Sequence, residues 1–229
     1  MAFQPIVDLE AREVYAYEAL VRGVEGQGAG WVFDQINSGN RYQFDQSCRV
    51  KAIEWAARLS IPCRLSINFM PNAVYEPARC IQTTLEAANK YGFPSDRLIF
   101  EVTESERVDD LPHLNAIITY YKNQGFKTAI DDFGAGYAGL NMLAELQTDL
   151  VKLDMGLIRD IDRNRTRRAV VQAIVSVCDE LSIVPLAEGV ETRAELDTLR
   201  ELGIQLFQGY LLAKPGFQAL PEIDWSVAD

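Results

Sequence analysis

The sequence predicts an α/β fold: a closed (β/α)8 barrel, eight strands wrapped by helices, with an antiparallel first strand. Three observations lead there. Short β-rich runs alternate with helical stripes along the whole chain. The first two runs stand too close together for a crossover. Each later run ends on a polar side chain.

The β-rich runs lie at 2–7, 13–21, 63–69, 97–102, 126–131, 149–153, 183–188 and 204–208. Only Asp8 to Arg12 separate the first two, which is too short for a right-handed parallel connection, so they form a hairpin. Helical periodicity fills most of the later gaps. In 41–60 the stripe is Phe44, Cys48, Ala52, Trp55 and Leu59; in 110–124 it is Leu111, Leu114, Ile117, Ile118 and Tyr121. In 165–182 it is Val170, Val171, Ile174, Val175, Val177, Cys178 and Leu181, and in 192–202 it is Leu196, Leu199 and Leu202. Thr192 and Glu195 have the spacing of a capping box at a helix start. Gly92, Gly125 and Gly203 each follow a helical pattern and precede an apolar run, as residues that end helices in the left-handed conformation do. An open doubly wound sheet uses the same alternation; the residues at the strand ends favour the barrel. No linker or low-complexity stretch interrupts 1–229, so one domain is expected.

Composition narrows the chemistry. The 22 Lys+Arg against 33 Asp+Glu give a formal charge of −11, which argues against nonspecific binding to a nucleic-acid polymer or an anionic membrane. No apolar stretch reaches a membrane-spanning length, and the N-terminus lacks a secretory pattern, so no membrane insertion and a cytoplasmic location are expected. Cys48, Cys63, Cys80 and Cys178 form no C-x-x-C pair and read as buried free thiols. His113 is the one histidine, expected on an exposed helix face. Histidine zinc sites and Ser/His or Cys/His catalysis are thereby excluded. Carboxylates, lysine, amides and oxygen-ligated metals remain.

The strand ends supply that set. Successive runs finish at Glu18, Asn68, Glu101, Asp131-Asp132, Lys152 with Asp154, Glu188 and Gln208. Taken singly each is weak: a lone Glu at a strand end is more often a solvated rim residue, and Gly134-Ala135-Gly136 more often a turn than a phosphate cradle. Seven consecutive strands ending this way is a strong signal, because all parallel ends of a barrel converge on one face. Carboxylates crowded there repel unless hard divalent cations bind between them. The pattern reads as a two-metal site for attack of water on phosphorus, at which an acidic chain can bind an anionic substrate. As rim residues, these side chains are expected to be replaceable with little loss of stability.

The chain also resembles a known family. Gln4-Pro5-Ile6, E-A-L-V-R at 18–22, S-I-N-F-M-P at 66–71, F-E-V-T-E-S at 100–105, D-D-F-G-A-G-Y at 131–137, V-K-L-D at 151–154, A-E-G-V-E-T at 187–192 and F-Q-G-Y at 207–210 follow in order. This set is similar to that of EAL domains, bacterial phosphodiesterases that hydrolyse cyclic di-GMP to linear pGpG. An aldolase- or enolase-type barrel shares a carboxylate mouth but not this ordered set. The resemblance implies a TIM-like (β/α)8 barrel with an antiparallel first strand and two ions, Mg²⁺ or Mn²⁺. It implies Glu18, Asn68, Glu101 and Asp131 as metal ligands, with Asp132 serving the second metal and Glu188 binding metal or its water. Lys152 orients the attacking water, and Gln4, Arg22 and Asp154 look like substrate contacts. Gln208 and Glu191 support the ligand shell. Glu104 resembles the glutamate that anchors the loop after Asp132. A homodimer is implied through that loop and the following helix, with Met142, Leu143 and Leu146 as interface candidates unless they pack on the barrel itself. The same resemblance allows a second reading, a module that binds cyclic di-GMP or a protein without turnover.

Overall fold

The computed structural model describes residues 1–103, 110–136 and 139–228. The strands are β1 (Ala2–Asp8), β2 (Glu13–Leu20), β3 (Arg64–Asn68), β4 (Leu98–Thr103), β5 (Lys127–Phe133), β6 (Leu150–Leu153), β7 (Val184–Ala187), β8 (Leu206–Phe207) and a short β9 (Gly216–Phe217). From β2 to β8 each strand pairs in parallel with the next. β1 closes the ring by running antiparallel to both β2 and β8, and β9 extends the β8 side of β1. The expected eight-strand barrel and hairpin are both present; the short β9 follows a turn too brief to carry a period-2 pattern.

The long helices also fall where the periodicity places them: α2 (Arg41–Arg58), α5 (Leu111–Asn123), α8 (Arg165–Leu181) and α9 (Arg193–Glu201). Short helices α1 (Ala29–Phe33), α3 (Pro77–Cys80), α6 (Gly139–Glu145) and α7 (Met155–Ile158), and the longer α4 (Gln82–Tyr91), complete the set. Thr192 and Glu195 form the capping box of α9. Gly92, Gly125 and Gly203 all have positive φ, as helix-ending glycines require. Among the described residues no helix is long and apolar enough to cross a membrane.

Four expectations about burial need correction. On α2 the buried face is centred on Asp45, Arg49, Ala52, Ile53 and Ala56, beside the predicted apolar stripe. The reason is an ion pair: Arg49 lies 2.6 Å from Asp45, and both side chains are sealed from solvent. Arg49 also donates to the Tyr121 hydroxyl at 3.0 Å and lies over the Phe69 and Phe100 rings. On α8, Val170, Val177 and Leu181 belong to the exposed side, because the core-facing row is Val171, Ile174, Val175 and Cys178. His113 is half-buried and its ring Nε2 meets the Val74 carbonyl oxygen. All four cysteines are free, but Cys48 and Cys63 are only half-buried.

Inside the barrel, residues two apart on each strand stack in layers. Ile6, Ala16, Ile99, Ala129, Leu150, Leu186 and Leu206 form one apolar cluster. The next inward position toward the strands' carboxyl ends is occupied by Gln4, Glu18, Glu101, Asp131, Lys152, Glu188 and Gln208. Because β1 is antiparallel, its polar residue precedes its apolar one, and Gln4 pairs with Glu18 while Ile6 pairs with Ala16. The apolar layer is thus a floor beneath the polar one.

Candidate metal centre and active site

Lys152 is the centre of the polar layer, and it is 1% exposed. Its Nζ lies 2.6 Å from Glu188, 2.8 Å from Glu101, 2.8 Å from Asp131 and 3.3 Å from Glu18. Glu101 and Glu18 are themselves 1% and 6% exposed. The expectation of a solvated rim is therefore corrected: the strands end inside the mouth, and their polar side chains lie buried at the bottom of the cavity.

One ammonium does not neutralise four carboxylates. Burial raises the Glu101 carboxyl to about 8 against the pull of Lys152, with Glu18 and Asp131 adding to the rise. Burial likewise holds Glu188 well above the usual carboxylate range, opposed by Lys152 and reinforced by Asp131. Burial and the neighbouring Asp131 raise Asp132 to about 6. For Lys152 burial works downward, but the carboxylates more than reverse it and hold the ammonium well above its usual value.

The carboxylates fall into two groups sharing Asp131. Oxygens of Glu18, Glu101 and Asp131 lie within 4.8 Å of one another, and so do those of Asp131, Asp132 and Glu188. Successive residues of a regular strand point to opposite faces, so Asp131 and Asp132 could not both face the mouth on an ideal β5. The pairing of β5 with β6 slips between Ile130 and Phe133, and Asp132 has a φ of +53°, which turns its carboxylate toward the same cavity. The donor set fits hard divalent cations: all oxygen, excess negative charge, and a buried Asp131 Oδ1 that accepts no well-directed hydrogen bond.

Neutral neighbours fix the carboxylates. Asn68 Nδ2 donates to Glu18 Oε1 at 3.0 Å, and Gln208 Nε2 donates to Glu18 Oε2 at 2.9 Å. Ser66 Oγ donates to Glu101 Oε1. Sequence reasoning passed over Ser66, although it lies two residues before Asn68 and so on the same inward face.

A cavity of about 930 Å³ opens above this layer. Gln4, Arg22, Asp132, Asp154, Glu188, Glu191 and Gln208 all line it, as do the unpredicted Phe33, Phe44, Met70, Met155 and Tyr210. Gln4 Nε2 donates to the Ala213 carbonyl at 3.2 Å, and Arg22 donates to the Val21 carbonyl at 2.7 Å. Asp154 caps α7 by accepting from Gly156 N at 2.7 Å. Glu191 is paired with Arg159 at 3.0 Å. Glu104 lies outside the described residues, as do Tyr137 and Ala138 of the loop it was expected to anchor. Met142, Leu143 and Leu146 are buried within the chain's own core, so barrel packing accounts for them and they offer no face to a second copy.

Fold and site together define a β/α-barrel protein with a carboxylate-lined mouth. The chain belongs to the EAL domain family, whose model matches residues 1–215. It superimposes with a TM-score of 0.96 on a standalone EAL protein from Vibrio cholerae solved with c-di-GMP bound, 52% identical and covering 100% of this chain and 97% of that one. A manganese and c-di-GMP complex of Klebsiella pneumoniae BlrP1 has a TM-score of 0.91 and 35% identity, covering 97% of this chain and 57% of that one. Among curated relatives, the blue light- and temperature-regulated antirepressor BluF of Escherichia coli is 33% identical over 98% of this chain and 56% of its own. The cyclic di-GMP phosphodiesterase PA2567 of Pseudomonas aeruginosa is 28% identical over 98% of this chain and 39% of its own. The chain therefore spans about half or less of these two relatives' lengths.

Proposed function

We propose that residues 1–229 form a single phosphodiesterase domain that hydrolyses cyclic di-GMP to linear pGpG with two divalent cations, Mg²⁺ or Mn²⁺. The observation that carries this reading is the pair of carboxylate groups sharing Asp131 around one buried lysine. The substrate follows from the relatives: PA2567 is a cyclic di-GMP phosphodiesterase, and the V. cholerae protein binds c-di-GMP.

Glu18, Asn68, Glu101 and Asp131 would hold one ion, and Asp131, Asp132 and Glu188 the other. Bound there, the ions supply Lewis-acid polarisation of the phosphoryl group and an activated water. The chain's own contribution is positional. Lys152 orients the attacking water and offsets the charge of the carboxylates that face it. Gln208 and Asn68 keep both Glu18 oxygens directed, and Ser66 does the same for Glu101. Arg22 brings a planar guanidinium suited to a phosphate, with Gln4 and Asp154 as further substrate contacts. Glu191 holds the loop after Glu188 through Arg159, and Glu104 anchors the loop after Asp132.

BluF, an antirepressor, favours a second reading: a module that acts by binding cyclic di-GMP or a protein partner. One assay separates the two. Purified protein with Mg²⁺ or Mn²⁺ and cyclic di-GMP is expected to release pGpG, and excess chelator to stop it. Binding without product favours the second reading, and turnover in chelator rules out the two-ion site.

We also infer a homodimer. Among the exposed apolar side chains that a second copy could cover are Leu140 on α6 and Val170, Val177 and Leu181 on α8, helices that follow the paired strands β5 and β6.

A further inference from the structure

We propose that α7 is a spacer that sets the second cation position, and that Met155 and Gly189 are its positioning pair. The inference rests on the two-ion reading and concerns residues to which that reading gives no part.

The second carboxylate group is assembled from a strand end and a loop: Asp131 and Asp132 are the last acidic residues of β5, and Glu188 follows β7. Between them β6 ends and α7 begins. The backbones are sewn together here, with Asp154 N donating to Phe133 O at 3.1 Å and Glu188 N donating to Leu153 O at 3.1 Å. Those bonds fix the strand ends but not the turns beyond them. The turns are held by α7, wedged between two glycines. A Cβ on Gly134, two residues after Asp132, would collide with the Leu157 side chain. A Cβ on Gly189, next to Glu188, would lie 2.6 Å from Met155 Cβ. Both glycines have positive φ, +98° and +64°. Each socket thus admits a side chain of α7 directly against the loop backbone. At the far end of α7, Arg159 reaches the Gly189 carbonyl at 3.5 Å and Glu191 at 3.0 Å, so the Glu188 turn is gripped from both ends of the helix.

A four-residue helix has little stability of its own. Its presence here is explained by what it separates. Its width sets the span between the Asp132 and Glu188 carboxylates, while Glu18 and Glu101, on β2 and β4, lie outside its reach. The first cation position is then independent of α7 and the second is not.

The test is Mn²⁺ binding, read by titration calorimetry and by the electron paramagnetic resonance of a coupled Mn²⁺ pair. It compares wild type, Gly189→Ala, Met155→Gly and the double variant, each checked for cooperative melting. Gly189→Ala is expected to bind one ion as wild type does, to bind the second at least about tenfold more weakly, and to lose the coupled-pair signal. In the double variant Cβ has been removed from residue 155, so the collision is gone and second-ion affinity should rise clearly above that of Gly189→Ala, although the left-handed backbone at 189 still strains the alanine. If Gly189→Ala fails to fold, Leu157→Ala, which adds no atoms, should weaken the second ion selectively. The proposal is overturned if the folded variant binds both ions normally, if both ions weaken alike, or if the double variant is no better than Gly189→Ala. Wild type that binds fewer than two ions instead removes the two-ion reading itself.

Discussion

Lys152 is the residue on which the site's charge balance turns, since it is the single ammonium facing Glu18, Glu101, Asp131 and Glu188. Lys152→Met should lower cyclic di-GMP hydrolysis by at least about 100-fold, the usual loss when an electrostatic group aimed at the reacting centre is removed. Being buried, it should also lower the melting temperature of the metal-free protein, with added Mn²⁺ recovering most of that loss; calorimetry with and without chelator checks both. The same charges set a pH dependence. The folded-state pKa of Glu101, about 8, lies above the ordinary carboxylate value of 4.5. The folded state therefore binds the extra proton, and this stabilisation is complete below the unfolded value and lost as pH rises through about 8. Metal-free protein should melt lower at pH 9 than at pH 6, and the lift from Mg²⁺ or Mn²⁺ should be larger at pH 9, where the ligands are deprotonated. A flat melting profile would remove that account. For Arg22, expected to bind and not to react, Arg22→Ala should raise KM more than it lowers kcat.

At the level of the element, strands were legible because a period of two is short and the floor repeats. Ile99 and Glu101, Ala129 and Asp131, Leu150 and Lys152, Leu186 and Glu188, and Leu206 and Gln208 each show an apolar residue followed two places on by a polar one. That pairing placed most of the polar layer. It said nothing of depth, because the walls of the mouth are built by segments from all along the chain, so Lys152 read as a rim residue. The slip that turns Asp132 inward, and α7 with its glycine sockets, are set by tertiary contacts and leave no periodic trace. α2 was misread for a related reason: its buried face holds an ion pair, and hydrophobic periodicity cannot count a guanidinium and a carboxylate as core. Arg49→Met should therefore destabilise the fold by about 3–5 kcal/mol, because it strands Asp45 in a buried place, whereas Asp45→Asn combined with Arg49→Met should recover part of that loss. Urea unfolding of the three proteins decides it.

For the whole molecule, the homodimer is the property most open to direct measurement. Light scattering at micromolar concentration should give twice the chain mass for wild type, and Val177→Glu, placed on the exposed side of α8, should give a monomer with an unchanged melting profile. A monomeric wild type would remove the dimer, and a dimeric Val177→Glu would remove α8 from its interface. The acidic balance of −11 bears on this, since two such copies repel at low ionic strength and the dimer should tighten as salt screens them.

The antiparallel closing strand has a consequence for how the protein is made. β1 and β2 are made before the other strands and pair as a local hairpin. The other edge of β1, however, must wait for β8 and β9, and Met1, just before the strand, finally accepts a bond from Gln218 N. Nearly the whole chain is thus synthesised while one edge of the first strand stands unpaired, in a nascent chain whose ring cannot be completed. The polar layer takes part in that delay: Gln208 reaches Glu18 only when the last strand docks. A chain stalled or clipped before Leu206 would carry most of the site's residues and still have no site. Synthesis of β8 is then the step that completes the set of site residues, and Mn²⁺ capture by nascent chains of increasing length would mark the moment the barrel shuts.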